Sequence, residues 1–304
     1  FDSVSGIDHV DYEMEYNKSS YYQPVVGAIS LEQTINDSNL TLIATNTGTV
    51  NAQFVEAYAL FFDAEGNVVS YASSYITDDD SELKPGAALS AQLDSYSDFD
   101  HVECYLTGRS DGSASEAPDS AISDSDFDIK EYAYEDSIGS TTYYLIIKNN
   151  SDETVKISGN ATAYDSLENV IGAGDCSVDV LGPGEETIAY FFFDFVSGLD
   201  HIDYKLNYSE SDYFEPVINE LSMEQNINDN NVVVTVTNNG TEAAEFVEVY
   251  ALFFDQHNNI VGTSSAYAID DDSELKPGES ISKQLDIYDS FDHVECYLTG
   301  RRYK

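Results

Sequence analysis

The chain has 304 residues, with 57 Asp and Glu against 12 Lys and Arg, a formal net charge of −45; a field of that sign repels nucleic acid and anionic membrane surfaces. An apolar fraction of 42%, with 23 Tyr and 15 Phe, supplies folded cores and separates the chain from acidic disordered tails. No apolar run approaches the roughly 18 residues of a membrane-spanning helix, so direct membrane insertion of this segment is not expected, and three cysteines do not make a disulfide framework.

The chain repeats itself. Residues 1–109 recur as 193–301 at a constant offset of 192 without insertion or deletion, and roughly three positions in five are identical. FVEAYALFFD returns as FVEVYALFFD, DDDSELKPG appears in both copies, and HVECYLTGR closes each at Arg109 and Arg301. Copying of this kind builds length or multivalency. A weaker similarity splits the period into two units, A and B. In B, NATAYDSLENVIG, LGPGEETIAYFFFD and GLDHIDYKLNY follow the order of YALFFDAEGNVVS, LKPGAALSAQLD and DFDHVECYLTG in A.

Residues 1–24 match the last strand of a B unit and the junction after it. Because Phe1 aligns with Phe193 inside a unit, the rest of that B unit is expected to precede Phe1. A competing reading is that Val4, Val10, Tyr12 and Met14 alternate along an unpaired edge strand donated to another molecule's sheet. Unit A follows at 25–109, an acidic linker at 110–125, unit B at 126–212 and a second A unit at 213–304.

Within each unit the signals are those of strands. The runs 40–46, 143–148 and 232–238 are rich in β-branched and aromatic residues, and each is followed by an Asn/Gly/Thr/Ser/Asp turn. KPG or GPG punctuates the chain before a later strand. Along HVECYLTG, Val102, Cys104 and Leu106 fall on one face and His101, Glu103 and Tyr105 on the other, as in a half-buried strand. About seven short strands in some 85–90 residues predict an all-β chain of tandem immunoglobulin-like antiparallel β-sandwich domains. Between B and A, aromatics and a Pro of fixed φ (Pro24, Pro216) predict a stiff joint. Between A and B, RSDGSASEAPDSAISDSD predicts a self-repelling coil that bends.

The strand ending in Leu60, Phe61, Phe62 and Asp63 runs into AEGNVV, and its copies end at Asp165 and Asp255. An L-x-P-G element follows as Leu83, Lys84, Pro85, Gly86, as Leu181, Gly182, Pro183, Gly184, and as Leu275, Lys276, Pro277, Gly278. This pattern resembles the FxLYD domain family. Phe62 and Phe254 depart from it where the motif has tyrosine, as do Glu168 and Asn258 where it has the turn glycine. The resemblance implies secreted or cell-surface β-sandwich repeats of the kind found in envelope proteins of Gram-positive bacteria and archaea, with no established catalytic residues.

Few residue clusters suggest chemistry. Asp78, Asp79, Asp80 and their copies Asp270, Asp271 and Asp272 are the densest carboxylates. They read either as a hard-cation site, Ca²⁺ being the candidate, or as a solvated loop before the KPG turn. No EF-hand spacing is present. His9, His101, His201 and His293 each follow Asp at a unit end, one per unit, which suits a strand-entry contact better than zinc. Cys104 and Cys296 read as apolar fillers on an inward face, with Cys176 the more exposed thiol. Tyr21, Tyr22, Tyr213 and Phe214 suit junction packing better than sugar stacking. Sequons at Asn17, Asn36, Asn39, Asn149, Asn160, Asn207 and Asn239 fit a glycosylated extracellular protein. No nucleophile elbow, phosphate loop or Ser/His/Asp set within one unit occurs, so catalysis and cofactors are not expected. The composite expectation is a non-enzymatic cell-surface stalk or filament whose partners are other surface proteins or copies of itself. The rival readings are an adhesin or glycan- or Ca²⁺-binding receptor, a filament subunit assembling by strand donation, and an acidic protein adapted to high salt.

Overall fold

A strand with alternating apolar residues buries one face only when a second sheet covers it, and each unit meets that condition within its own length. The computed structural model of the chain describes residues 11, 13–77, 81–113, 122–269 and 273–304. Every strand pairing among them is antiparallel, and no α-helix occurs among them.

The first A unit contains β1 (Gln23–Pro24), β2 (Ile29–Asn36), β3 (Asn39–Asn46), β4 (Gln53–Phe62), β5 (Val68–Tyr75), β6 (Ala88–Asp94) and β7 (His101–Ser110). One sheet has the order β1-β7-β4-β5 and the other β2-β3-β6. Gln23 and Pro24 pair with Ser110 and Arg109, so the end of the expected junction is already part of this unit's sheet. Unit B comprises β8 (Phe127–Glu135), β9 (Thr141–Asn149), β10 (Val155–Tyr164), β11 (Val170–Leu181), β12 (Glu186–Phe193) and β13 (His201–Glu210). Its sheets are β12-β9-β8 and β11-β10-β13. Among the described residues B has six strands rather than the expected seven, having no counterpart of β1. The second A unit restores the seven-strand plan with β14 (Phe214–Pro216), β15 (Leu221–Asn228), β16 (Asn231–Asn238), β17 (Glu245–Phe254), β18 (Ile260–Tyr267), β19 (Ser280–Asp286) and β20 (His293–Tyr303).

Three separate cores result. Leu40, Leu42, Val55 and Phe61 lie in the first, Leu145, Ile157, Phe191 and Phe193 in the second, and Val232, Val234, Val249 and Phe253 in the third. Centre-strand Gly159 makes room in unit B: a Cβ there would sit 2.6 Å from Cys176 Sγ and 2.7 Å from Leu206.

One asparagine per unit braces the end of each sandwich. Asn46, at the end of β3, is buried; its Nδ2 donates to Val50 O at 2.8 Å and Leu83 O at 2.7 Å, while its Oδ1 accepts from Gly48 N at 2.9 Å. Asn149 makes the same contacts with Glu153 O, Leu181 O and Ser151 N. Asn238 makes them with Glu242 O, Leu275 O and Gly240 N. The acceptor at 83, 181 or 275 is the leucine of L-x-P-G, whose glycine turns back at φ 77–79° and donates its N–H to the asparagine carbonyl. The motif read from the sequence is thus one half of a two-loop clasp.

The hairpin after β4, β10 and β17 is a three-residue loop closed by an aspartate. Its last residue takes positive φ: 83° at Gly66, 63° at Glu168 and 62° at Asn258. The side chain of Glu168 is strained there, and Glu168→Gly is expected to raise stability by about 1 kcal/mol in chemical denaturation. Asn149→Ala strands the buried Leu181 carbonyl, the part-buried Glu153 carbonyl and the Ser151 amide, and is expected to cost on the order of 2 kcal/mol by the same measurement.

Candidate functional site

The expected chemical centres resolve, where described, into structural contacts. Asp63 Oδ1 accepts from Glu65 N at 3.0 Å and Asn67 N at 2.7 Å, and Asp63 Oδ2 accepts from Asn67 Nδ2 at 2.9 Å. Asp165 with Asn169, and Asp255 with Asn259, repeat the arrangement. These hydrogen bonds favour the ionised form, the side-chain bond from the asparagine most of all, and hold all three carboxyls below their usual range, Asp255 at about 2. His9 lies outside the described residues; each of the other three strand-entry histidines stacks on the ring opposite it in the sheet. His101 lies on Phe62 with centroids 5.0 Å apart, His201 on Tyr164 at 5.0 Å and His293 on Phe254 at 4.9 Å. The preceding aspartate stands 3.2–3.3 Å from each Nδ1. Among the described residues no group of three or more His, Cys, Asp or Glu is placed to hold a metal ion.

The carboxylates read either as a Ca²⁺ site or as a solvated loop, Asp78, Asp79, Asp80, Asp270, Asp271 and Asp272, lie outside the described residues, as do Val4, Val10 and Tyr12 of the candidate donor strand. Met14, the last of that set, is exposed and lies in no strand. Four sequons are corrected by burial or by hydrogen bonding. Asn149 is the unit B brace, and Asn39 is buried with its Nδ2 donating to Asp194 O at 2.9 Å. Asn36 and Asn160 have their amides committed to a contact between units. A glycan on any of these nitrogens would displace the bonds they make. Asn17, Asn207 and Asn239 are exposed. Cys176, expected to be the more open thiol, is buried with Cys296, and Cys104 is the half-open one.

The least ordinary surfaces are the two seams where units touch. The seam between the first A unit and B is polar. Asn160 receives Ser90 N at 2.9 Å and donates to Ser90 O at 2.8 Å; Gln92 Nε2 and Asn39 Nδ2 both donate to Asp194 O, at 3.1 and 2.9 Å. Asn36 Nδ2 donates to Val170 O at 2.9 Å. These bonds join units on either side of the stretch read as a bending linker, of which residues 114–121 lie outside the described residues. The composition of that stretch gave no sign of them.

The seam between B and the second A unit is apolar. Tyr144, Ile146 and Ile188 of B enclose Leu252, Phe254 and Tyr297 as a fourth buried cluster. Tyr132 meets Phe254 edge-on at 5.1 Å, and Thr187 Oγ1 donates to Leu298 O at 3.0 Å. At its rim Arg301 is sandwiched between Phe214 and Phe246, 4.6 and 4.3 Å from their centroids, and its guanidinium pairs with Asp179 of unit B. Phe246 sits at φ 49° in a β-bulge, which turns its ring under the arginine. The first A unit builds the same stack, with Arg109 between Tyr22 at 4.2 Å and Phe54 at 3.8 Å. Tyr22 and Phe214 therefore serve as cation platforms, while Tyr21 and Tyr213 remain exposed.

No family model matches the chain, and no curated protein matches it. Among solved structures, red sea bream transglutaminase is similar at 10% identity with a TM-score of 0.20, over 78% of this chain and 38% of that one. The chain thus spans well under half the length of that enzyme, and a likeness this loose says nothing about activity.

Two measurements check these contacts. Burial pushes the Cys176 and Cys296 thiols up to about 12, and Cys104 upward, so a thiol reagent at mildly alkaline pH should label Cys104 first and the other two only on denaturation. In an NMR titration Asp255 should protonate at about 2. Its folded value lies below the unfolded value of roughly 3.9, so the stability it contributes is complete above that pH and is lost as pH falls through the folded value.

Proposed function

We propose that the chain belongs to a non-enzymatic extracellular repeat protein, a cell-surface stalk or filament in which tandem β-sandwiches act as spacers and interaction modules. The observation that carries this reading is serial organisation: three closed cores, with unit B in contact with an A unit on each side. A chain built this way gains reach with every added unit while each core stays independent. The resemblance to FxLYD repeats supports an envelope location. The net charge of −45 keeps neighbouring copies apart while the seams carry apolar and amide contacts. The candidate acid, histidine and thiol groups within the described residues are taken up by turns, stacks and cores, which favours a mechanical role over a chemical one. The partners of such a protein are other surface proteins or further copies of itself.

Shape tests the stalk. Small-angle scattering and negative-stain images should give a train of three lobes, and a single compact globule would sink the reading. A receptor rigidified by Ca²⁺ predicts a melting temperature that rises at millimolar calcium; the stalk reading expects no rise.

A further inference from the structure

We infer that the open face of β4, β5 and β7 in the first A unit is a docking surface for a B-type sandwich, seated as the chain's own B unit sits on the second A unit. The inference is independent of whether the protein lies at a cell surface.

The 192-residue offset makes the chain its own comparison. Leu252, Phe254, Ile260 and Tyr297 of the second A unit correspond to Leu60, Phe62, Val68 and Tyr105 of the first. Under unit B, Leu252, Phe254 and Tyr297 are 0%, 1% and 7% exposed and Ile260 is half-buried; in the first A unit their counterparts Leu60 and Phe62 are half-buried, Tyr105 is 52% exposed and Val68 54%. Chemistry is retained at all four positions, the one change being Ile to Val, so a face built to the same pattern stands in water. Apolar residues grouped on an uncovered sheet are favoured by burial in proportion to the area covered.

The polar fittings of the seam are also in place. Arg109 is held between Tyr22 and Phe54 as Arg301 is held between Phe214 and Phe246. Arg301 reaches Asp179 of unit B, whereas no carboxylate among the described residues pairs with Arg109. A second unit B would bring that aspartate. Tyr58 is oriented by Glu56 as Tyr250 is by Glu248, and Leu106 O occupies the place of Leu298 O, the acceptor for Thr187. The partner is a B unit with its own face free. A second copy of the whole chain does not offer one, because its Tyr144, Ile146 and Ile188 are already covered by its second A unit. The joint for delivery is present too: residues 1–18 repeat the end of unit B, 193–210, directly ahead of this A unit.

The test joins residues 122–192 ahead of Phe1, which completes a B sequence in front of the full chain. Tyrosine nitration with peptide mapping is the readout, and Tyr297 is the covered reference within the same molecule. In the unextended chain Tyr105 should react faster than Tyr297; in the extended chain that difference should vanish. Asp179→Arg in the added copy, a change at the half-buried rim that lies outside its core, should restore the reactivity of Tyr105 and leave Tyr297 slow. Folding of the added unit is read from its Cys176 copy, which stays unlabelled until denatured. If that control fails, residues 25–192 are joined instead, so that the added B unit carries an A unit before it. Tyr105 as reactive in both extensions as in the unextended chain would overturn the inference. So would concentration-dependent dimers of the unextended chain in which Tyr105 is protected, since the occupant would then be a second copy.

Discussion

A single buried amide closes each sandwich. Asn46, Asn149 and Asn238 each stand at the end of a core strand and bind two loops at once, the one that follows the strand and the one that carries the L-x-P-G turn. The leucine carbonyl of L-x-P-G is buried in each unit and needs a donor from within the protein. The asparagine amide supplies two donors and one acceptor from one side chain, and the turn glycine returns a bond to the same residue's backbone. With both loops tied, the two sheets are held in the register at which Phe61, Phe191 or Phe253 fills the core. Each unit closed in this way encloses a core of its own, and the three cores follow one another along the chain.

The two seams are held by different forces. Between B and the second A unit, aromatic and branched side chains exclude water, and an arginine stacked between two rings adds a charge pair at the rim. Between the first A unit and B, the contact is made by side-chain amides and a serine bonded to backbone groups. Amide–backbone bonds replace bonds to water at little net gain, whereas apolar burial scales with the area covered. The apolar seam is therefore the stronger of the two, and the alternation of strong and weak contacts along the array is a property of the A and B surfaces themselves.

Much of this was legible in residue order. The 192-residue period, strand alternation such as that of Val102, Cys104 and Leu106, and the turn chemistry around Asp63 and Gly86 are local patterns with local causes. The half-burial of alternate residues along β7 follows them directly. Other features were out of reach. Asn149 looks like an acceptor for glycan in the string Asn-Asn-Ser, yet it is a buried brace, because its three partners lie up to 32 residues away. Cys176 follows a Gly-rich stretch that reads as open, but Gly159 on the neighbouring strand leaves a space that the thiol fills. Arg109 and Arg301 carried no signal at all, since their platforms depend on a bulge at Phe54 and Phe246 and on a strand pairing that begins in the junction.

Residue order by itself determined that the chain is built of repeated units, that these are all-β, and where their hairpins turn, because period and turn propensity act over a few residues. Which faces of those units are covered was decided only in three dimensions. Tyr105 and Tyr297 occupy identical sequence contexts, and one is open to solvent while the other is enclosed. That difference arises from a neighbouring sandwich far along the chain, and no pattern within the strand encodes it.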